Sequence, residues 1–267
     1  MALLAGAVLA PVGVSAQEPG LPDGLRPGPV VRVSDVVDAD TVRLTAPADG
    51  AMEVRLVGIQ GPKLPLGRPD FKPWPLAEEA RAALSALVEG RDLTLRFGGA
   101  ERDRHGRLLA HLVRDDGLWI QGAMLQAGFA RVYTFADNRQ ESAPMLALEK
   151  AARARRAGIW SQSFYAVRRA TAPAQLAGEL GTFQLIDGQV RNAAQVRGRV
   201  YLNYGTHWRS DFTVIVEAKA LRLFRDAGID LLGLKDTHIR VRGWLYENGG
   251  PAIELTHPEA LEIITAQ

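Results

Sequence analysis

Three short runs of alternating residues crowd the first sixty positions and constrain this fold more than any other feature. "VVRVSDVV" (30–37), "TVRLTA" (41–46) and "MEVRLVGI" (52–59) put apolar residues at near-alternate positions, with turns at 38–40 and 47–50 between them. Three half-buried strands in meander order predict a curved sheet. A Pro- and Gly-rich loop follows at 61–74. Pro75 then opens a helix in which Leu76, Ala80, Leu84, Leu87 and Val88 recur at helical spacing until Gly90. "DLTLRF" and "RLLAHLVR" read as two more strands, and helical patterns occupy 119–127 and 141–157, the second closed by Gly158. Five strands with a helix after the third predict a small OB-type barrel with extra helices.

The stretch "AVRRATAPAQLAGELGT" (166–182) is rich in Ala, Pro and Gly and reads as a linker. Beyond it "FQLIDGQVRNA", "RGRVYLNYG" and "FTVIVE" are strand-like, "AKALRLFRDAG" is helical, and "HIRVRGWLYENGGPAIEL" carries a hairpin turned at "ENGG". A second OB-like barrel is expected. The predicted organisation is a leader at 1–16, a first module at 28–161, a linker at 162–182 and a second module at 183–267, mainly β with helices.

At 267 residues, with 47% hydrophobic and 23% charged side chains, the chain can supply two such cores and is neither fibrous nor disordered in composition. It has no cysteine, which excludes disulfides, thiolate metal sites and a cysteine nucleophile. A net charge of +2, its basic side carried mostly by arginine, permits a polyanionic partner without demanding one. The opening "MALLAGAVLAPVGVSAQEPG" is an apolar run that ends on small residues at Val14, Ser15 and Ala16, ahead of polar Gln17 and Glu18. It is too short and too Pro-broken to span a bilayer, so the expectation is a cleaved leader and a periplasmic or secreted protein.

Cleaving a phosphodiester takes a metal to neutralise phosphate, a base beside the attacking water, and cations on the developing charge. "VVDADTVRL" sets Asp40 just past the first strand, "VRLVGIQGPK" sets Arg55 at the start of the third, and "ERDRHGRLLA" sets Arg107 at the start of a later one. With the closing "AGIWS", the Asp-x-Asp-Thr-Val turn, the Arg-Leu strand and the Asp-x-x-Gly-Arg segment occur in order and at proper spacing. Over residues 28–161 the chain resembles the thermonuclease, or staphylococcal-nuclease-like, family.

That resemblance implies that Asp40 matches a calcium-ligating aspartate and that Arg55 and Arg107 match two arginines that clamp the scissile phosphate. It also exposes two departures. Gln60 stands where the family has a second metal-binding aspartate, and Lys63 stands where it has the glutamate that orients or activates water. Gly61 stands in place of the family's threonine and retains only a backbone carbonyl. Three acids thus become one acid and one ammonium, and the pocket is expected to hold calcium weakly because ligand charge sets calcium affinity. The expectation is that the Lys63 ammonium takes the metal's position, pairs with Asp40, and joins Arg55 and Arg107 in a metal-free phosphate clamp. Asp70, Glu78 and Glu79 remain candidate replacement acids. Each residue also has a plainer reading: Asp40 as a turn residue capping backbone amides, Arg55 and Arg107 as surface cations in salt bridges.

In the second module, "RGRVYLNYGTHWRSDF" mixes basic and aromatic residues as nucleic-acid-binding OB surfaces do. Tyr201 and Phe212 are expected to pack the core, while Trp208, Arg209 and Arg199 are the candidates for nucleic-acid contact. The functional expectation is an exported protein that binds DNA, RNA or another phosphodiester. The alternatives are an active metal-dependent extracytoplasmic endonuclease and an envelope interaction scaffold.

Overall fold

The computed structural model describes residues 24–207 and 209–264. The expected leader at 1–16 and Trp208 lie outside the described residues. The first module runs β1 (Arg26–Asp38), β2 (Thr41–Ala48), β3 (Ala51–Leu56), β4 (Gly58–Gln60), α1 (Ala77–Val88), β5 (Asp92–Phe97), β6 (Leu108–Arg114), α2 (Ile120–Gln126), β7 (Arg131–Tyr133) and α3 (Ser142–Ala154). The alternation read in the sequence is the alternation of burial: Val42 and Leu44 of β2, and Val54 and Leu56 of β3, point inward while Arg43 and Met52 face out. The strands close into a barrel in the order β1-β2-β3-β6-β5. The seam between β3 and β6 is parallel, with Val54 opposite Leu108.

Helix α3 stops earlier than the 141–157 expected from its pattern. Arg156 turns into left-handed backbone (φ 54°), and Gly158 begins a separate 3-10 turn, Gly158–Ser161. Gly158 is needed there for contact as well as for conformation, because a Cβ on it would lie 2.2 Å from the Gly128 carbonyl oxygen. Residues 162–182 carry structure of their own. Ser163–Tyr165 form a 3-10 turn whose Tyr165 hydroxyl donates to the Pro75 carbonyl (2.8 Å), Arg168–Arg169 form β8, and Pro173–Ala177 form α4.

The second module comprises β9 (Phe183–Gln189), β10 (Asn192–Val196), β11 (Arg199–Asn203), β12 (Thr213–Val216), α5 (Leu221–Asp226), β13 (His238–Asn248), β14 (Gly250–Glu254) and β15 (Leu261–Ile263). β9 and β10 are halves of one bent strand, the first paired with β13 and the second with β11. Continuing β11-β12-β14-β13 with a parallel β12–β14 seam repeats the strand order of the first barrel. Tyr204 and Phe212 are buried in this core, and Tyr201 on β11 is half-buried.

The modules dock through buried charge. Glu149 of α3 accepts from Arg242 of β13 (Nη1 to Oε2 3.0 Å, Nη2 to Oε1 3.1 Å), from Arg153 (2.7 Å) and from the Val132 backbone amide (2.6 Å). Glu262 of β15 completes the charge balance by pairing with Arg242. Beside this network His257 is buried, its Nε2 2.8 Å from the Thr134 hydroxyl oxygen.

Burial holds His257 at a pKa of about 4, opposed only in part by Glu259, and burial holds His111 at about 3, both against an ordinary 6.5. Below pH 6.5 the unfolded chain therefore binds protons that the folded chain refuses, so stability falls on acidification until each folded pKa is passed. Urea denaturation at pH 7 and pH 5 is expected to show a loss of up to about 1.4 kcal/mol per pH unit per histidine. In His257→Asn that slope is expected to be about half as steep.

Candidate functional site: a carboxylate turn closed by a lysine

The site starts at the β1–β2 turn. Asp38 ends β1 and its Oδ1 accepts the Asp40 backbone amide at 3.1 Å, which holds both carboxylates inside one turn. Asp40 is fully buried, and the Leu56 amide of β3 donates to its carbonyl at 2.8 Å. Arg55, opposite Thr41 in the β2–β3 pairing, reaches across the same spot. Its Nη1 donates to the carbonyls of Asp40 (3.1 Å) and Leu56 (2.7 Å). Its Nη2 donates to that of Ile59 (2.8 Å) and lies 3.2 Å from Asp40 Oδ2.

The loop after β4 then folds down onto the turn. Gly61 permits this, because a Cβ there would sit 2.4 Å from the Cβ of Ala39. At this approach the Gly61 amide donates to Asp40 Oδ2 at 2.7 Å. Two residues on, Lys63 Nζ donates to Asp40 Oδ1 (2.7 Å), Asp40 Oδ2 (2.6 Å) and Asp38 Oδ2 (3.0 Å). The Trp74 amide, donating to the Lys63 carbonyl at 2.9 Å, pins the backbone behind it.

Burial alone would raise the Asp40 carboxyl, but the Arg55 guanidinium and the Lys63 ammonium outweigh it and hold Asp40 well below the usual carboxylate range. Asp38 is pushed the other way, by burial first and then by the charge of Asp40, against the pull of Lys63. Two carboxylates, one ammonium and one guanidinium make a locally neutral cluster.

Calcium, which the resemblance implies, does not fit this donor set. It takes 6–8 oxygens at about 2.3–2.6 Å, and here the three nearest carboxylate oxygens already converge on an ammonium. Among the described residues no group of three or more Asp, Glu or His side chains gathers as a metal would require. Asp70 and Glu79 are exposed, and Glu78 pairs with Arg81 at 3.2 Å.

Gln60 faces a different partner. On β4 it sits opposite Arg131 of β7, and its Oε1 accepts from Arg131 Nε (2.9 Å) and Nη2 (2.7 Å). Arg131 is itself buried, pushed down to about pKa 10 by that burial, with its guanidinium 4.8 Å from the Phe183 ring centroid of the second module. Arg107 Nε donates to Asp103 at 2.7 Å. Arg55 and Arg107 both line a cleft of about 690 Å³, whereas Lys63 and Asp40 lie outside its lining. Arg199 on β11 pairs with Glu217 at 2.8 Å, and Arg209 lies by the turn at Gly249, so neither lines that cleft.

Sequence reasoning missed Asp38, Arg131 and Trp244. The first had a signal, a second aspartate two residues from Asp40 in one turn. Arg131 and Trp244 had none, because strand pairing and module docking bring them in.

Lys63→Met leaves two buried carboxylates facing each other with only Arg55 as counter-ion. It is expected to cost about 3 kcal/mol in urea denaturation, the lower end for a broken buried pair because Lys63 is partly exposed. The loss is expected to grow between pH 5 and pH 8, since the folded variant would have to hold a proton that the unfolded chain releases. A pH-independent loss would contradict the assignment of Lys63 as counter-ion.

Comparison of the sequence with known proteins points to one family. The family model described as staphylococcal nuclease homologue covers residues 53–162. An uncharacterized endonuclease of Escherichia coli O157:H7 is 30% identical over 133 residues, spanning 49% of this chain and 77% of that protein. The SPbeta prophage-derived endonuclease YokF of Bacillus subtilis is 32% identical over 142 residues, 52% of this chain and 46% of its own length. Endonuclease YhcR of the same organism is 26% identical over 137 residues, and the chain spans only 11% of it. The likeness to these proteins takes in about half of the chain. With its closed five-stranded barrel, its Asp-x-Asp turn and its arginine-bearing third strand, the chain belongs to the staphylococcal nuclease homologue family.

Proposed function

We propose that the chain is an exported member of its family that binds nucleic acid, or a related phosphodiester, without metal-dependent hydrolysis. The observation that carries this reading is the Lys63 ammonium lying within 3.0 Å of oxygens from both Asp38 and Asp40. A protonated lysine in that position satisfies the carboxylates that a divalent cation would need and cannot itself take a proton from water. The neighbouring cleft keeps a basic wall, with four arginines against two aspartates in its lining, which suits a polyanion. Export rests on the leader pattern at 1–16 alone.

Hydrolysis is the second reading. It is favoured by relatives named as endonucleases and by the partial exposure of Lys63, whose side chain is 22% accessible and has a route out of the turn.

Digestion and binding of labelled single-stranded DNA and RNA, with calcium, magnesium, manganese or EDTA, separate the two. The expected result is no metal-dependent cleavage, together with binding that weakens steeply as salt rises. Cleavage that EDTA abolishes would overturn the binding reading. An absence of both binding and cleavage would leave only a scaffold role.

A further inference from the structure

The cleft beside the carboxylate turn is not built by the first barrel alone. Its lining brings together Arg102, Arg104 and Arg107 of the first module and Trp244 from β13 of the second. Trp244 also lines a second cavity of about 310 Å³, together with Tyr246 of the second module. The two cavities share Tyr133, Phe135 and Trp244 in their linings. Trp244 and Tyr246 are two apart on a strand, hence on one face, and they remain 47% and 37% exposed.

The indole is fixed in place. Its Nε1 donates to the Tyr133 hydroxyl at 2.9 Å, and Tyr133 is held edge-on between Phe135 (4.8 Å, 82°) and Phe183 (4.9 Å, 81°). With its N–H already spent on Tyr133, Trp244 has ring area to offer a ligand and no hydrogen bond. Two aromatic rings left partly exposed on one strand face offer apolar area that a flat ligand can cover. Arginines and aromatic rings lining adjoining cavities match a polyanion with unpaired, stackable bases.

We infer that the two modules form one composite groove for single-stranded nucleic acid, with phosphates along the Arg102–Arg107 rim and bases stacked on Trp244 and Tyr246. A duplex would not satisfy it, because its base faces are already stacked on each other. The inference rests on the nucleic-acid-binding reading above and adds the second module to the binding site.

Fluorescence anisotropy in EDTA, with labelled oligothymidylate alone or annealed to its complement, tests it. The chain is expected to prefer the single strand, and Trp244→Ala and Tyr246→Ala are each expected to weaken binding roughly tenfold with the salt slope unchanged. Arg104→Ala is expected to make that slope shallower by about 0.7. Trp244→Phe, which keeps a ring against Phe183, is expected to bind close to the unmodified chain and so separates lost stacking from lost folding. Unmodified affinity in both alanine variants, or a preference for duplex, would overturn the composite groove while leaving nucleic-acid binding intact. No binding by the unmodified chain would remove both.

Discussion

Two aspartates inside one buried turn cannot both stay ionised without a cation against them, and the structure around this turn follows from how that cation is supplied. Asp38 and Asp40 share the Lys63 ammonium, and Arg55 reaches the same carboxylate from the third strand. The cation arrives on the chain rather than from solvent. For that to happen the loop after β4 must pass close to Ala39, which only the missing side chain of Gly61 permits. Gly61 and Lys63 therefore work as one device: the first lets the loop descend and the second neutralises what it meets.

Gln60, on the short strand just before that loop, faces a different charge. With an amide rather than a carboxylate at Gln60, the buried guanidinium of Arg131 has a neutral acceptor, and its charge is met by the Phe183 ring and by the field of Glu149. Phe183 belongs to the second module and Glu149 is the centre of the charge network that docks it. Gln60 thus anchors a buried cation that also packs on the Phe183 ring of the second module. The same docking brings Trp244 into the lining of the basic cleft.

The barrel was legible in the sequence because alternation such as Val42-Arg43-Leu44 is a direct imprint of which side chains face the core. The pairing of Lys63 with Asp40 was legible too, since opposite charges in positions the family brings together have few other ways to be satisfied. The partners of Arg55 were not, because three of them are backbone carbonyls and a carbonyl leaves no mark in the sequence. Gln60 was read as part of the carboxylate site, and its actual partner comes from the β4–β7 register, which joins positions 71 residues apart. In the second module the aromatic and basic run at 197–212 suggests a contact surface, but its arginines do not line the cleft. Trp244, read only as part of a barrel strand, reaches the cleft through contacts between modules that a single sequence does not encode visibly.

In this reading Lys63 is an internal replacement for a divalent cation. Isothermal titration of calcium into the unmodified chain and into Lys63→Glu tests it most directly, because it measures ion binding without depending on catalysis. No saturable heat is expected for the unmodified chain and one-site binding for the variant, in which Asp38, Asp40 and the introduced carboxylate would face each other without an ammonium between them. Saturable calcium binding by the unmodified chain, as tight as or tighter than that of the variant, would contradict it.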